Sequence, residues 1–271
     1  MKLSSGDLQI LGDAYEKLEN PSLAIRISSA VGMPVEAVTR ELGKRAPDAV
    51  VDAVSESTHK AIEFVLQSSM RSIKSEAGAE ARPRLHTAAA MTTGAVAGFF
   101  GLGTLIVELP LTTGIMFRSI ADIARAEGES PQDPETILNC MQVFAMGSRA
   151  TDKDDAAETS YYGVRVALSK AVADALQYVA AHGEGKASAP AIVRLITALA
   201  SRFGIVVTQK AMAQTIPVIG AIGGGLVNTV FISHFQDMAR AHFAIRRLER
   251  QYGEEIVRDT YRELGIPESG D

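Results

Sequence analysis

Two long runs of the chain carry no formal charge: Thr87 to Val107, 21 residues, and Ala211 to Ser233, 23 residues. Backbone in so apolar a run has to satisfy its own N–H and C=O groups, and a helix does so internally. At 1.5 Å per residue each run would be roughly 30–35 Å long, enough to cross a bilayer. Composition argues for restraint. The first run is rich in Gly, Ala and Thr, which favour insertion far less than Leu, Ile or Phe. The second contains Gln214, Asn228 and three consecutive glycines at 223–225. Both place small residues four apart: Gly94 and Gly98 with Ala90 one turn earlier, and Gly220 and Gly224 beside Ala221 and Gly225. Small residues on one face let helix backbones approach closely, so these glycines are candidate helix-packing positions. Two arrangements follow. One is a buried helical hairpin at the centre of a bundle, as expected of helices apolar on all sides. The other is an amphitropic hairpin, held in the bundle in water and released into a membrane.

The rest of the chain also reads as helix. Leu8, Leu11, Ala14, Tyr15 and Leu18 follow helical spacing up to a stop at Asn20-Pro21. Pro34 opens a short helix. Pro47-Asp48 opens a longer one with Val50, Val54, Ile62, Val65, Leu66 and Ile73 on one face. Asp133-Pro134-Glu135 supplies a capping acid followed by Pro at the first helical position. Further helical stretches cover Asp154 to Ala181, Ala189 to Gln214 and 253–264, and strand signals are nearly absent. The expected fold is all-α: a multi-helix bundle around two Gly/Ala-rich, nearly charge-free central helical segments. Residues 1–82 are expected to form an N-terminal helical region packed on the core, 83–265 the core itself, and 266–271 a frayed tail.

A formal charge of −5 gives no whole-molecule attraction to nucleic acid, and a chain without Trp offers little surface for stacking bases. Cys140 stands alone, so no intrachain disulfide and no multi-cysteine metal site is expected. The first twenty residues lack the apolar core and cleavage site of a secretory signal. Neither a metal nor a cofactor is expected. There is no phosphate loop, dinucleotide fingerprint, HExxH or GxSxG, and the glycines of "GFFGLG" (98–103) lack a preceding strand.

Within the apolar stretch from Thr92 to Ile120, Glu108 is the one acid. Pro110 follows two residues later and predicts a break, one helix ending near Val107 and the next starting near Leu109. Glu108 would then cap a new N-terminus. Alternatively it is a carboxylate in an apolar pocket, usable as acid, base or ligand, with Arg118, Arg165 or Arg202 as its partner. Arg118 and Asp122 are four apart and can pair on one face. On the last long helix, Asn228 sits among Val227 and Val230, where its amide must bond something, most often a neighbouring helix. His234 and Asp237 are three apart and too few to hold a metal. Glu108, Arg118, Asn228, His234 and Asp237 form the candidate polar site.

"GTLIVELPLTTGIMFRSIADIARAEG" (103–128), "ETSYYGVRVAL" (158–168) and "IPVIGAIGGGLVNTVFISHFQDMARAHFAIRRLERQYG" (216–253) together resemble the EcsC family in its acidic-Leu-Pro, Tyr-Tyr-x-x-Arg and Pro-x-Ile-Gly-Ala segments. The resemblance runs from about Pro83 to the C-terminus. Where the family often has Asp, this chain has Glu108. What the resemblance implies is limited: the family takes its name from a protein encoded beside an ABC transporter whose system is linked to secretion and membrane proteolysis, which suggests a role related to transport or secretion. The "peptidase" label that some relatives carry finds no support in these residues. The expectation is therefore a membrane-associated, amphitropic helical protein. Its partner would be a membrane surface or membrane protein, and its place the cytoplasm, peripheral to the inner face of the cell membrane. The alternative is a hydrolase or lipid-handling enzyme with its polar site at Glu108. A third possibility is a scaffold that binds another helical protein through the N-terminal helices or the basic "AIRRLER" face (244–250), a face that could also touch anionic headgroups.

Overall fold

The structure is a computed structural model and describes residues 3–20, 23–75, 102–147, 160–183, 186–216 and 224–265. Ten α-helices account for nearly all of them, with no strand among the described residues. In chain order these are α1 (Ser5–Glu19), α2 (Leu23–Val31), α3 (Val35–Leu42), α4 (Asp48–Ser75), α5 (Leu102–Ala126), α6 (Pro134–Gln142), α7 (Tyr161–His182), α8 (Pro190–Gln214), α9 (Gly224–Tyr252) and α10 (Glu254–Leu264). A single 3₁₀ turn, Val143–Ala145, follows α6. The fold is an all-α bundle.

Local sequence explains where the helices begin. Ser4 caps α1 by accepting from the Asp7 N–H, and Ser160 caps α7 by accepting from Gly163. Asp133 accepts from the Glu135 N–H ahead of Pro134, as the acid–proline pair predicts. α7 ends on Gly183, whose φ of 67° suits a residue without Cβ.

α4, α5, α8 and α9 form the centre. α4 lies against both α5 and α8, while α9 touches α5, α8 and the 3₁₀ turn. The expected apolar face of α4 is buried at Val50, Val54, Ile62, Val65 and Leu66. Phe144, Phe203, Phe231 and Phe235 make a continuous ring cluster joining the 3₁₀ turn, α8 and α9, with centroids 5.2 to 6.2 Å apart. α1 and α2 pack on α9, so the N-terminal helices share the core instead of merely covering it.

Several sequence expectations are corrected. α5 runs without interruption through Pro110, so Glu108 lies inside a helix and caps nothing. Proline removes one N–H from the ladder, but the helix continues because its buried face, Leu109, Thr113, Met116 and Ile120, is held by neighbours. The run from Ala211 to Ser233 is no single helix: α8 stops at Gln214 and α9 starts at Gly224. Gly94, Gly98 and Gly220 lie outside the described residues, and Gly224 is the first residue of α9. A methyl group at Gly225 would meet no atom of the described residues within 4 Å. Among the described residues, a methyl at Gly114 would meet Phe64 (3.4 Å) and one at Gly204 would meet Thr58 and Val54 (3.8 Å each), at ordinary van der Waals distance. Arg118 and Asp122 do not pair, because Asp122 takes Arg125 at 2.9 Å.

Candidate functional site: a buried lysine shared by three helices

Lys210 lies near the C-terminal end of α8 and is the only Lys or Arg among the buried described residues, 1% exposed. Its Nζ donates to Oδ1 of Asn228 on α9 at 3.0 Å and to Oε1 of Glu108 on α5 at 3.3 Å. On a third side it stands 4.9 Å from the centre of the Phe231 ring, within range of a cation–π contact. Three helices thus meet at one ammonium. The Glu108 side chain is 17% exposed, so the carboxylate forms the outer side of the knot and the amine the inner. Burial pulls the Lys210 pKa below its ordinary value, and the Glu108 carboxylate opposes that pull.

A charge taken out of water costs several kcal/mol unless paired and hydrogen-bonded. Lys210 is both. Its removal from water is offset only while α5, α8 and α9 keep their present spacing, so the amine works as a conditional tie. Chemically, the pair can also pass a proton between Nζ and the carboxylate.

Of the five residues singled out from sequence, the structure brings together Glu108 and Asn228. The others lie apart. Arg118 is exposed, ten residues and roughly 15 Å along α5 from Glu108. His234 is fully buried, six residues beyond Asn228 on α9. Asp237 binds Arg26 of α2 and Arg240, each at 2.8 Å. Among the described residues, no three His, Cys, Asp or Glu side chains gather closely enough to hold a metal ion.

The decisive residue, Lys210, is absent from the sequence-derived set. It is the one charge between Phe203 and Ser233, a detectable signal. A scan for charge-free runs treats it as the edge of such a run, and so misses it. Neither Arg118 nor Arg165 nor Arg202 partners Glu108. Arg165 is engaged elsewhere, with its NH1 and NH2 on Oε1 and Oε2 of Glu249 at 2.6 and 3.1 Å. Around that pair, the Tyr162 hydroxyl donates to Glu249 at 3.0 Å, and the Tyr161 hydroxyl lies 2.9 Å from Nδ1 of His242. The Tyr-Tyr-x-x-Arg segment and the terminal Arg-Leu-Glu stretch are therefore joined, through Glu249, in one partly buried network between α7 and α9.

Residues 23–248 match the model of the EcsC protein family. The chain belongs to the EcsC family. The match extends from the first residue of α2 into the last third of α9 and includes Glu108, Lys210 and Asn228. It begins well ahead of Pro83, where the motif resemblance starts, which agrees with α2 to α4 sharing the core. No curated protein and no solved structure matches the chain. Family membership by itself assigns no activity.

Proposed function

We propose that this EcsC-family protein acts at a membrane, as an amphitropic bundle whose apolar helix α8 is kept in place in water by the Lys210 tie. The observation that carries this reading is α8 itself. Among the described residues it is the one helix both long and apolar enough to cross a bilayer, with mean hydropathy 1.7 over its most apolar window. Only 44% of that window is buried in the bundle. Lys210 closes its C-terminal end, the position from which a lysine can extend its ammonium to the headgroup layer. Contact with a membrane or a membrane protein, in a role related to transport or secretion, fits a helix that can exchange bundle neighbours for lipid. The basic face at 244–250 supports the reading less. Arg246 binds Glu129 and Glu135, Arg247 binds Glu127 and Asp7, and Arg250 binds Glu129, so these guanidinia are already paired within the bundle.

Flotation with vesicles of neutral or anionic lipid tests this. Wild type should float in part, and Glu108→Gln more fully, because the amine loses its counter-charge and α8 its tie. If neither floats with any lipid, and cysteines placed along α8 are equally protected with and without vesicles, the membrane reading fails.

A second reading, a hydrolase or lipid-handling enzyme, draws on one observation: a buried amine within proton-transfer reach of a carboxylate. Its test is ester or phospholipid turnover that is lost in both Lys210→Met and Glu108→Gln while helicity is kept. Absence of turnover in the wild type ends it.

A further inference from the structure

α9 carries two fully buried histidines, His234 and His242, eight residues apart. Neither ring nitrogen of His234 has a hydrogen-bond partner among the described residues. The ring lies against the backbone at Gly147, where an added methyl would sit 2.6 Å from Nε2 and 3.2 Å from Sδ of Met238. Phe235 meets it edge-on at 5.2 Å. From α2, Arg26 faces it; on α9 the nearest acid is Asp237, already held by Arg26 and Arg240. Met146 and Gly147, following the 3₁₀ turn, offer no titratable group. Burial first, then Arg26, pushes its pKa down to about 4, against the pull of Asp237.

His242 is closed in differently. The Tyr161 oxygen accepts from Arg165 NH1 at 3.2 Å, which leaves its own proton free to point to Nδ1 of His242 at 2.9 Å. With Tyr161 as donor, the imidazole hydrogen stands on Nε2, which has no partner among the described residues. A second proton, on Nδ1, would set an N–H against the tyrosine O–H. The charges around the ring are Arg165 of α7, held by Glu249, and Arg246 of α9, held by Glu129 and by Glu135 of α6. Toward α1 and α10 the titratable groups are Glu19 and Tyr261, bonded to each other at 2.7 Å. Protonation therefore adds a cation beside Arg26 at one ring, and beside Arg165 and Arg246 at the other.

We propose that His234 and His242 are an acid-operated release on α9: on taking up protons they part α9 from α2 and from α7, and bare the apolar face beneath. Both rings stay neutral only while the joints are closed, and both are free to protonate once water reaches them. Closing is thus opposed by up to a tenfold change in the opening constant per pH unit for each ring, acting below the ordinary histidine pKa of about 6.5. Together they supply up to a hundredfold per unit. That the bared face then meets lipid rests on the membrane reading above; the release itself does not.

The test is an acid titration of the full chain from pH 7.5 to 3.5 without lipid. It follows the fluorescence of an apolar-surface dye, near- and far-ultraviolet circular dichroism, and the histidine ring NMR signals. The expected result is dye binding and loss of near-ultraviolet signal below pH 6.5, with helicity kept and a steepness above one proton. His242→Gln keeps an acceptor for Tyr161, and His234→Leu removes the other ring. Each should lower the midpoint and reduce the steepness toward one proton. Should a variant fail to fold, the wild-type NMR titration decides alone. Rings that protonate while the dye stays unbound overturn the release, as do unchanged midpoints or a simultaneous loss of helicity. A parallel titration with phosphatidylcholine and phosphatidylglycerol vesicles separates the two ideas. Opening without vesicle binding leaves the release standing and removes the membrane reading.

Discussion

Lys210 and Glu108 differ in exposure, and that difference decides what each substitution does. Replacing Glu108 with Gln leaves an ammonium in a site with almost no water, while replacing Lys210 with Met leaves a carboxylate that can still reach solvent. Removing one member of a buried pair costs about 3–5 kcal/mol, less where the survivor is hydrated. Urea unfolding at pH 7 should therefore show Glu108→Gln losing roughly 3 kcal/mol, and Lys210→Met no more than about 1–2 kcal/mol. The two differ further with pH. The folded lysine pKa lies below the unfolded value near 10.5, so the unfolded chain binds more protons and stability rises with pH in that interval. Glu108→Gln should then recover part of its deficit between pH 7 and 9.5. A deficit that stays constant over that range would show that the amine is not what the carboxylate supports.

Elements are decided by backbone geometry as much as by side chains. Gly147, two residues past the 3₁₀ turn, has φ of 75° and His234 2.6 Å from where a Cβ would be. Gly147→Ala therefore meets two penalties, strain and collision, and should cost more than about 2 kcal/mol. Adding His234→Ala should relieve the collision but not the strain, so thermal melts of the double variant should show partial coupling. Gly225 lies in the first turn of α9, where an added methyl would meet no atom of the described residues within 4 Å, and Gly225→Ala should be neutral or stabilising by up to about 1 kcal/mol. Pro110 is the reverse case. It interrupts the ladder of α5 without ending the helix, so Pro110→Ala should raise the melting temperature, worth about 1–3 kcal/mol, if the buried face is what keeps α5 continuous.

The whole molecule is tied together along α9, whose C-terminal half binds the loop after α5, α6, α7 and α1 through ionic contacts. Glu129 is the hub, with Arg246, Arg250 and Thr136 upon it. Burial pushes its carboxyl pKa up, but the two arginines and the threonine outweigh that and hold it below the ordinary value. Its stabilisation is complete above about pH 4.5 and lost as pH falls through the folded value. Glu129→Gln should cost roughly 3 kcal/mol at pH 7, and the gap from wild type should narrow only below pH 4.5. The histidine effect begins near pH 6.5, so the two acid responses of the bundle are separable by window in a single series of unfolding curves.

Helical periodicity, proline and capping residues act over four or five positions, and that is why the all-α class, the starts of α6 and α8 and the apolar face of α4 were legible in the chain. Asn228 was legible for the same reason, as an amide that could not be left unbonded among valines. Lys210 could be seen only as the border of an apolar run, because its importance lies in Glu108 and Asn228 standing 102 and 18 positions away. Pro110 read as a break, since local preference counts the lost N–H and not the packing that outweighs it. His234 and Asp237 shared a helical face on paper, yet packing gave one a dry pocket and the other Arg26 of α2 beside Arg240 of its own helix. Contacts distant along the chain are absent from any short pattern, so the helices could be derived from it, and which charges they enclose was decided by how they packed.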